Sequence, residues 1–204
     1  MRELRNLVEW LKVKEEALKA IWEDRVIGYL DPGAERFLYL LNKPALIATT
    51  SSCTGRITIV EGRWHWERGE ARVVYKTHGS LERKVLESHL AKSYYGDLWL
   101  KVTGPIIHLR TPRLLCAHHI IRHARVSGFK HSGIISIDNV RGHVVEVMSG
   151  VQLMIPLKRD GRILLNVDPL DNIVSMANEA LEEGRERLET LASKVSSEPG
   201  PCDF

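Results

Sequence analysis

Residues 45–60 read ALIATTSSCTGRITIV, and this stretch decides the fold because the apolar pattern changes here from helical to strand-like. The apolar runs 45–48 and 57–60 predict two strands. The eight residues between them, 49–56, carry five hydroxyls, a thiol, a glycine and an arginine. Glycine lets a ligand approach the backbone closely, and arginine suits a carboxylate or a phosphate. This polar turn therefore predicts a site for an anionic or highly polar ligand.

Helices and strands alternate along the rest of the chain. Apolar residues at helical spacing predict a helix over residues 3–23, and Asp31 followed by Pro32 predicts the N-cap and first position of a second helix that ends near Leu41. The other strands are predicted near 71–76, 97–103, 106–110, 133–138, 143–148 and 151–157, and the other helices over 80–93, 112–126 and 168–195. This order indicates an α+β fold with an antiparallel or mixed sheet and flanking terminal helices, rather than a doubly wound Rossmann fold.

Length and composition predict one domain. At 204 residues and 23.2 kDa, with 44% hydrophobic residues, the chain can bury one sizeable core. We assign residues 1–195 to that domain and residues 196–204, which contain two prolines and a glycine, to a disordered tail. Cys53, Cys116 and Cys202 fit neither an even disulfide framework nor a CxxC pattern, so reduced thiols are expected. A charged amphipathic N-terminus and the lack of a long apolar run predict a soluble, cytoplasmic protein.

Two segments of the sequence resemble each other. Residues 73–77, a predicted helix and residues 98–102 are echoed by residues 107–111, a helix and residues 133–137. A duplicated strand-helix-strand unit explains the echo. A chance match, which any α+β chain can give, explains it equally well.

Positive charge is concentrated in one region. No acidic residue lies between Asp97 and Asp138, and this run holds six lysines or arginines and five histidines. Such a surface attracts polyanions. The other interpretation is an ordinary solvated face whose charge is matched by acids from elsewhere in the fold.

Several histidines occupy positions suited to chemistry. His78 lies where a strand becomes a helix, so it is a candidate base near neutral pH or a plain turn residue. His108 and Arg110 alternate with apolar neighbours, so both point to one polar face of a strand. His118, His119 and His123 lie on one helix, but no glutamate or second element completes a zinc site, and no metal is expected.

The sequence has no GxGxxG, GxxxxGK[ST] or GxSxG motif, so any cofactor must bind in another way. Five segments carry a family resemblance: residues 49–56 (TTSSCTGR), 77–78 (TH), 107–110 (IHLR), 127–134 (SGFKHSGI) and 153–157 (LMIPL). On these segments the chain resembles the wybutosine-synthesis methyltransferases, archaeal and eukaryotic enzymes that methylate the tricyclic wyosine base of phenylalanine tRNA.

The resemblance implies a non-Rossmann α+β fold and methyl transfer from S-adenosylmethionine to N4 of the 7-(3-amino-3-carboxypropyl)-4-demethylwyosine base next to the anticodon of phenylalanine tRNA. His78 is the first candidate for the base that removes the ring proton, and Asp31 is the second. The expected cofactor contacts are Ser51, Ser52, Cys53, Thr54, Gly55, Arg56 and Ser132. The expected RNA contacts are Arg110, Arg113, Arg122, Lys130, His108 and Trp64, the last as a stacking ring that Trp66 could replace.

Three questions stay open at this level. Residues 49–56 could hold the carboxylate of either the cofactor or the modified base, since both carry the same kind of amino-acid group. A non-catalytic tRNA-binding module would share the basic surface without needing residues 49–56. A hydrolase that uses Cys53 or Ser52 with His78 is a third interpretation, although no nucleophile elbow surrounds either residue.

Overall fold

The structure is a computed structural model that describes residues 2–67, 69–165 and 170–204. Its helices are α1 (Arg2–Val26), α2 (Ala34–Asn42), α3 (Arg83–Ala91), α4 (Leu114–Val126) and α5 (Leu170–Ser197). Its strands are β1 (Ala48–Cys53), β2 (Arg56–Glu61), β3 (Arg72–Thr77), β4 (Leu98–Thr103), β5 (Ile106–Thr111), β6 (Gly133–Ser136), β7 (His143–Met148), β8 (Gln152–Arg159) and β9 (Arg162–Ile163). The predicted start of the last helix at Asp168 lies outside the described residues.

The chain forms two compact units, each assembled from separate segments. The first unit comprises Met1–Thr54, Pro105–Gly150 and Arg185–Phe204, and the second comprises Gly55–Gly104 and Val151–Gly184. Strand pairing is antiparallel throughout the described residues, which confirms the α+β class. Neither unit is a continuous stretch of the chain. The assignment of residues 1–195 to one catalytic domain stays a prediction.

The first unit is built on a four-stranded sheet in the order β1-β5-β7-β6. Strand β5 buries Ile107 and Leu109 completely and leaves His108 and Arg110 half-exposed, as their alternation predicts. Helices α2 and α4 and the second half of α5 pack on the buried face, where Phe129 and Leu191 are fully enclosed. This sheet therefore has one apolar face and one polar face.

The second unit is built on a five-stranded sheet in the order β3-β2-β4-β8-β9. Its core joins the apolar side chains of β2 and β4 to α3 and the first half of α5. Asn178 of α5 accepts a hydrogen bond from the backbone amide of Leu81 at 2.7 Å and donates to its carbonyl at 3.1 Å. This pair of bonds fixes α5 beside the segment that leads into α3.

The predicted pair of strand-helix-strand units is present, one in each sheet. In the second unit β3 and β4, joined through α3, both pair with β2. In the first unit β5 and β6, joined through α4, both pair with β7. The strand that pairs with both members comes from a different place along the chain in each unit. In the second unit β2 precedes the strand-helix-strand segment, whereas in the first unit β7 follows it.

The C-terminal segment corrects two expectations. Cys116 of α4 and Cys202 form a disulfide, whereas reduced thiols were expected from the cysteine spacing. Residues 196–204 are ordered rather than a disordered tail: α5 continues to Ser197, Gly200–Cys202 form a 3₁₀ helix, and Cys202 is fully buried. The segment is ordered because the disulfide, which joins residues 86 positions apart, holds it against α4.

Helix α1 forms as predicted but turns a different side inward. Leu11, Leu18 and Trp22 are among the apolar residues whose helical spacing predicts this helix, yet they are 48%, 45% and 62% exposed. Trp10 is the buried residue instead, and its indole N–H donates to the carbonyl of Ala45 at 3.0 Å. The orientation of the helix therefore follows the side that carries Trp10, whose ring is buried with its polar end satisfied.

Helices long and apolar enough to cross a membrane are not found among the described residues.

Candidate functional site

The hydroxyl-rich stretch is a strand rather than a turn. Strand β1 runs through it, and Thr50, Ser51 and Ser52 are exposed on this edge strand of the first sheet. The pairing register of β1 against β5 shifts between Thr49 and Ser51. A bulge of this kind re-aims side chains, so hydroxyls from successive positions become exposed together. The polar turn predicted between two strands is wrong, because most of it is strand β1, and β1 and β2 belong to different sheets.

Asp31 holds the end of this strand. Its carboxylate accepts hydrogen bonds from the backbone N–H of Thr54 at 2.8 Å and from the Thr54 hydroxyl at 3.1 Å. The expected role of Asp31 as a helix N-cap is wrong, since the N-cap of α2 is Gly33 in the left-handed conformation, with φ of 77°. The carboxylate is drawn to Thr54 because two donors there satisfy it at once.

Gly55 is required by packing as well as by backbone conformation. Its φ is 94°, and a Cβ atom there would lie 2.9 Å from both the Thr103 carbonyl oxygen and a Leu181 methyl group. Any side chain at this position would therefore clash within the second unit. The next residue, Arg56, begins β2 with an exposed side chain.

His78 lies directly after β3, and its ring is oriented by the backbone. The Nδ1 atom lies 2.9 Å from the carbonyl oxygen of Gly55. A carbonyl oxygen only accepts hydrogen bonds, so Nδ1 must carry the hydrogen. In the neutral ring this leaves Nε2 as the nitrogen that can take up a proton. The Thr77 hydroxyl supports the same turn by accepting the Gly79 N–H at 2.9 Å.

A second histidine, His108, connects two side chains across the polar face of the first sheet. Its Nδ1 lies 2.7 Å from the Ser51 hydroxyl, and its Nε2 lies 3.0 Å from a carboxylate oxygen of Glu146. Sequence reasoning missed Glu146. The available signal was its alternation with Val145 and Val147 in β7, which indicates a side chain on the polar face.

The predicted RNA-contacting cations all lie in the first unit but in different places. Arg110 is on β5, Arg113 precedes α4, Arg122 is on α4 and Lys130 follows it. Arg113, Arg122 and Lys130 are exposed, and Arg110 is half-buried. Within the described part of the chain none of the four pairs with an acid. The buried Nε of Arg110 also lacks a hydrogen-bond partner there.

An open groove of about 590 Å³ lies along α4 in the first unit. Its lining combines cationic and apolar side chains: Leu115, His118, His119, Ile121, Arg122, Arg125, Val126 and Pro201. In the same helix His123 is buried and its Nε2 lies 3.0 Å from Nε2 of His119. Burial and, secondarily, the neighbouring His119 hold the pKa of His123 below its ordinary value.

The predicted stacking residue, Trp64, is already stacked. Its ring lies parallel to that of Trp66, with centroids 4.8 Å apart, and the Arg159 guanidinium sits 5.0 Å from its centroid. Trp66 is 60% exposed and presents the more accessible ring. Both belong to the second unit.

Ser132, a predicted cofactor contact, is 5% exposed. Its hydroxyl donates to the carbonyl of Phe129 at 2.9 Å and accepts the N–H of Met148 at 3.3 Å. These bonds close the turn between α4 and β6. The structure therefore gives Ser132 a supporting position in the first unit and does not bring it to the exposed hydroxyls of β1.

Fold and site together define an α+β protein with antiparallel sheets, exposed hydroxyls on an edge strand and two histidines fixed by hydrogen bonds. The sequence profile of the family described as Methyltransferase TYW3 matches residues 12–197. The chain belongs to this methyltransferase family, whose chemistry requires a methyl donor.

Known relatives share both sequence and fold. A protein of Aeropyrum pernix named tRNA(Phe) 7-((3-amino-3-carboxypropyl)-4-demethylwyosine(37)-N(4))-methyltransferase is 46% identical over 87% of this chain and 94% of its own length. A crystal structure of a hypothetical protein from Aeropyrum pernix has a TM-score of 0.75 and 44% identity, over 82% of this chain and 98% of that one. The PH1069 protein of Pyrococcus horikoshii has a TM-score of 0.84 and 29% identity, over 94% of this chain and 98% of that one.

Proposed function

We propose that this protein methylates N4 of 7-(3-amino-3-carboxypropyl)-4-demethylwyosine in the anticodon loop of phenylalanine tRNA, with S-adenosylmethionine as the donor. The observation that carries the proposal is the 46% identity, over 87% of the chain, to the Aeropyrum pernix relative named for this reaction. The non-Rossmann fold and the polar side chains described above support it. We also propose that the enzyme works in the cytoplasm, where tRNA is available.

His78 is the proposed general base. A ring nitrogen that gains a methyl group must lose its proton, and a positioned base that accepts it contributes about 10²–10⁴-fold in rate. The hydrogen bond from Nδ1 to the Gly55 carbonyl fixes the ring and leaves Nε2 as the proton acceptor. Asp31, the second candidate, is occupied by both donors of Thr54, so we assign it the support of that segment.

We propose that the cofactor is bound by the segment that comprises Ser51, Ser52, Cys53, Thr54, Gly55 and Arg56. S-adenosylmethionine supplies a methyl group on a positively charged sulfur, and its amino-acid part needs polar partners. The exposed hydroxyls of Ser51 and Ser52 and the exposed guanidinium of Arg56 fit that chemistry. Among the described residues, no acid pairs with Arg56.

We propose that tRNA phosphates meet Arg110, Arg113, Arg122 and Lys130, four cations that lack acidic partners in the described structure. His108 and Trp64 stay predicted RNA contacts. The exposed ring of Trp66 adds a surface on which a loop base can stack. Binding should weaken steeply with salt, since each phosphate contact releases counterions.

The deciding experiment supplies the protein with phenylalanine tRNA that bears the demethylated base, together with S-adenosylmethionine. Mass spectrometry of the digested nucleosides should show one added methyl on the modified base. A matched sample of the same tRNA lacking the aminocarboxypropyl group tests substrate choice. No methylated nucleoside, with tRNA bound normally in a gel-shift assay, would instead support a non-catalytic tRNA-binding module.

Cys53 separates methyl transfer from the hydrolase alternative. It is not part of the disulfide, and methyl transfer does not require a thiol nucleophile. A Cys53→Ala variant should keep methyl transfer within a few-fold of the unaltered protein. A thiol hydrolase would lose all activity, because the thiol is its nucleophile.

A further inference from the structure

Three side chains form a hydrogen-bonded row across the polar face of the first sheet. In the strand register Ser51 of β1 pairs with His108 of β5, and His108 pairs with Glu146 of β7. Their side chains are joined by contacts of 2.7 Å from Ser51 Oγ to His108 Nδ1 and 3.0 Å from His108 Nε2 to Glu146. The His108 and Glu146 side chains are only 29% and 31% exposed, so the row is held in place by its surroundings.

With Glu146 ionised and the His108 ring neutral, elementary chemistry sets the order of donors in this row. An ionised carboxylate only accepts hydrogen bonds, so Nε2 of His108 donates to Glu146. A neutral imidazole has one N–H, which leaves Nδ1 as an acceptor. The Ser51 hydroxyl must then donate its hydrogen to Nδ1. Its oxygen consequently offers lone pairs alone to any ligand on this face.

We infer that Glu146 is a positioning residue that acts through His108 to make Ser51 a dedicated hydrogen-bond acceptor for the ammonium group of an α-amino-acid ligand. The inference rests on the proposed function, in which both the cofactor and the modified base carry such a group. The negative charge of Glu146 also favours a cation at the other end of the row.

Arg110 supplies the complementary charge. It lies two residues after His108 on the same strand and the same face. Its Nε has no hydrogen-bond partner among the described residues, and Asp138, whose pKa Arg110 helps to lower, already accepts the backbone N–H groups of Val140 and Arg141. On this inference Arg110 binds the carboxylate of the amino-acid ligand rather than a tRNA phosphate, so a guanidinium and a dedicated acceptor on one face serve the two charges of one zwitterion.

Glu146→Leu tests the inference because it removes the carboxylate without adding a donor. Affinity for the amino-acid ligand should fall about tenfold, as expected when one charged hydrogen bond is weakened. Glu146→Gln keeps an acceptor oxygen and should recover part of that loss. Glu23→Leu, which removes an exposed acid that pairs only with Lys19 in the described structure, is the matched control and should bind normally.

Two measurements on the Glu146→Leu variant identify which ligand the row binds. If calorimetry shows weaker binding of S-adenosylmethionine, the row serves the cofactor. If only the KM for tRNA with the aminocarboxypropyl group rises, it serves the base. If the row serves the cofactor, an analogue of S-adenosylmethionine with a keto group in place of the amine should bind the unaltered protein and the Glu146→Leu variant equally. Unchanged binding and KM in Glu146→Leu would overturn the inference.

A double variant tests the route through Ser51. If Glu146 acts through the hydroxyl, Glu146→Leu should add little to the loss already caused by Ser51→Ala. Two fully additive losses would contradict the route. Long-range ¹H–¹⁵N spectra of the unaltered protein give a readout that does not depend on activity: His108 should carry its hydrogen on Nε2. A hydrogen on Nδ1 would exclude the row as described, even if the protein methylates tRNA.

Discussion

The two strand-helix-strand units share a local frame but differ at one position. Thr77 ends β3 and accepts the backbone N–H two residues later at 2.9 Å, and Thr111 ends β5 and accepts the N–H two residues later at 3.4 Å. The residue after the threonine is His78 in one unit and Pro112 in the other. The turn is therefore a structural frame shared by both units, and the chemistry depends on the side chain placed in it.

Replacing His78 should change activity more than any other substitution considered below. His78→Asn keeps a hydrogen-bond donor near the position of Nδ1 but cannot accept a proton. We expect kcat for tRNA methylation to fall about 10²–10⁴-fold with little change in KM, because proton removal belongs to the chemical step. Steady-state kinetics with methylated nucleoside as the product measures both constants.

Pro112→Ala is the control at the equivalent position of the other unit. It should leave kcat within about twofold, because the proline side chain can neither accept nor donate a proton in the reaction. Equal losses in both variants would show that the turn matters only as structure. The same conclusion would follow if His78→Asn lowered thermal stability in proportion to its activity.

The second effect is on stability and comes from cysteines of the first unit. All three cysteines of the sequence lie there, and the Cys116–Cys202 disulfide closes a loop of 86 positions. Replacing both residues by serine should lower the free energy of unfolding by about 2–4 kcal/mol, because the unfolded chain regains entropy. Urea titration followed by circular dichroism measures the loss.

Cys53→Ser is the matched control for that experiment, since it removes a thiol outside the disulfide. Its unfolding midpoint should respond to a reducing agent as the unaltered protein does. The double serine variant should not respond at all. An unaltered protein whose midpoint is the same with and without the reducing agent would contradict the stabilising role of the disulfide.

The third expected effect compares the two threonines directly. Thr77→Val and Thr111→Val keep the side-chain shape and remove the acceptor of one backbone N–H, so each should cost about 1 kcal/mol in unfolding free energy. Thr103→Val, on a strand end where no hydrogen bond of the hydroxyl is seen in the described structure, should cost less than about 0.5 kcal/mol. If all three variants were equally stable, the turn would not depend on the hydroxyls.

The sequence predicted this frame because its signals are local. Alternation placed His108 and Arg110 on one face, and the echo between residues 73–77 and 107–111 located both units. The course of residues 49–56 was not predictable in the same way. Polar composition suggests a turn, whereas pairing with β5 makes most of the segment a strand.

Contacts between segments that are distant in the sequence were also not predictable. The partner of Cys116 lies 86 positions away, and Glu146 meets His108 only because β5 and β7 are neighbours in the sheet. Neither follows from spacing along the chain. The orientation of α1 was missed for a related reason, since the burial of Trp10 depends on a cluster with Leu46 and Ala48.

Buried histidines make the free energy of unfolding depend on pH, a modest effect that is absent at neutral pH and appears on acidification. Each unit buries a histidine whose pKa is lowered, His123 in the first and His89 in the second. Burial is the main cause that holds the pKa of each below its ordinary value of 6.5. The unfolded chain therefore takes up a proton before the folded protein does, so stability is complete above about pH 6.5 and is lost as the pH falls through the folded pKa.

Urea unfolding at a series of pH values between neutral and mildly acidic conditions measures this loss. His123→Asn and His89→Asn should each flatten the pH dependence, and the double variant should flatten it further, because the two sites lie in separate cores. His118→Asn, on the exposed side of α4, is the control and should leave the slope unchanged. If only His123→Asn flattens the slope, the acid sensitivity comes from the first unit and His89 contributes none of it.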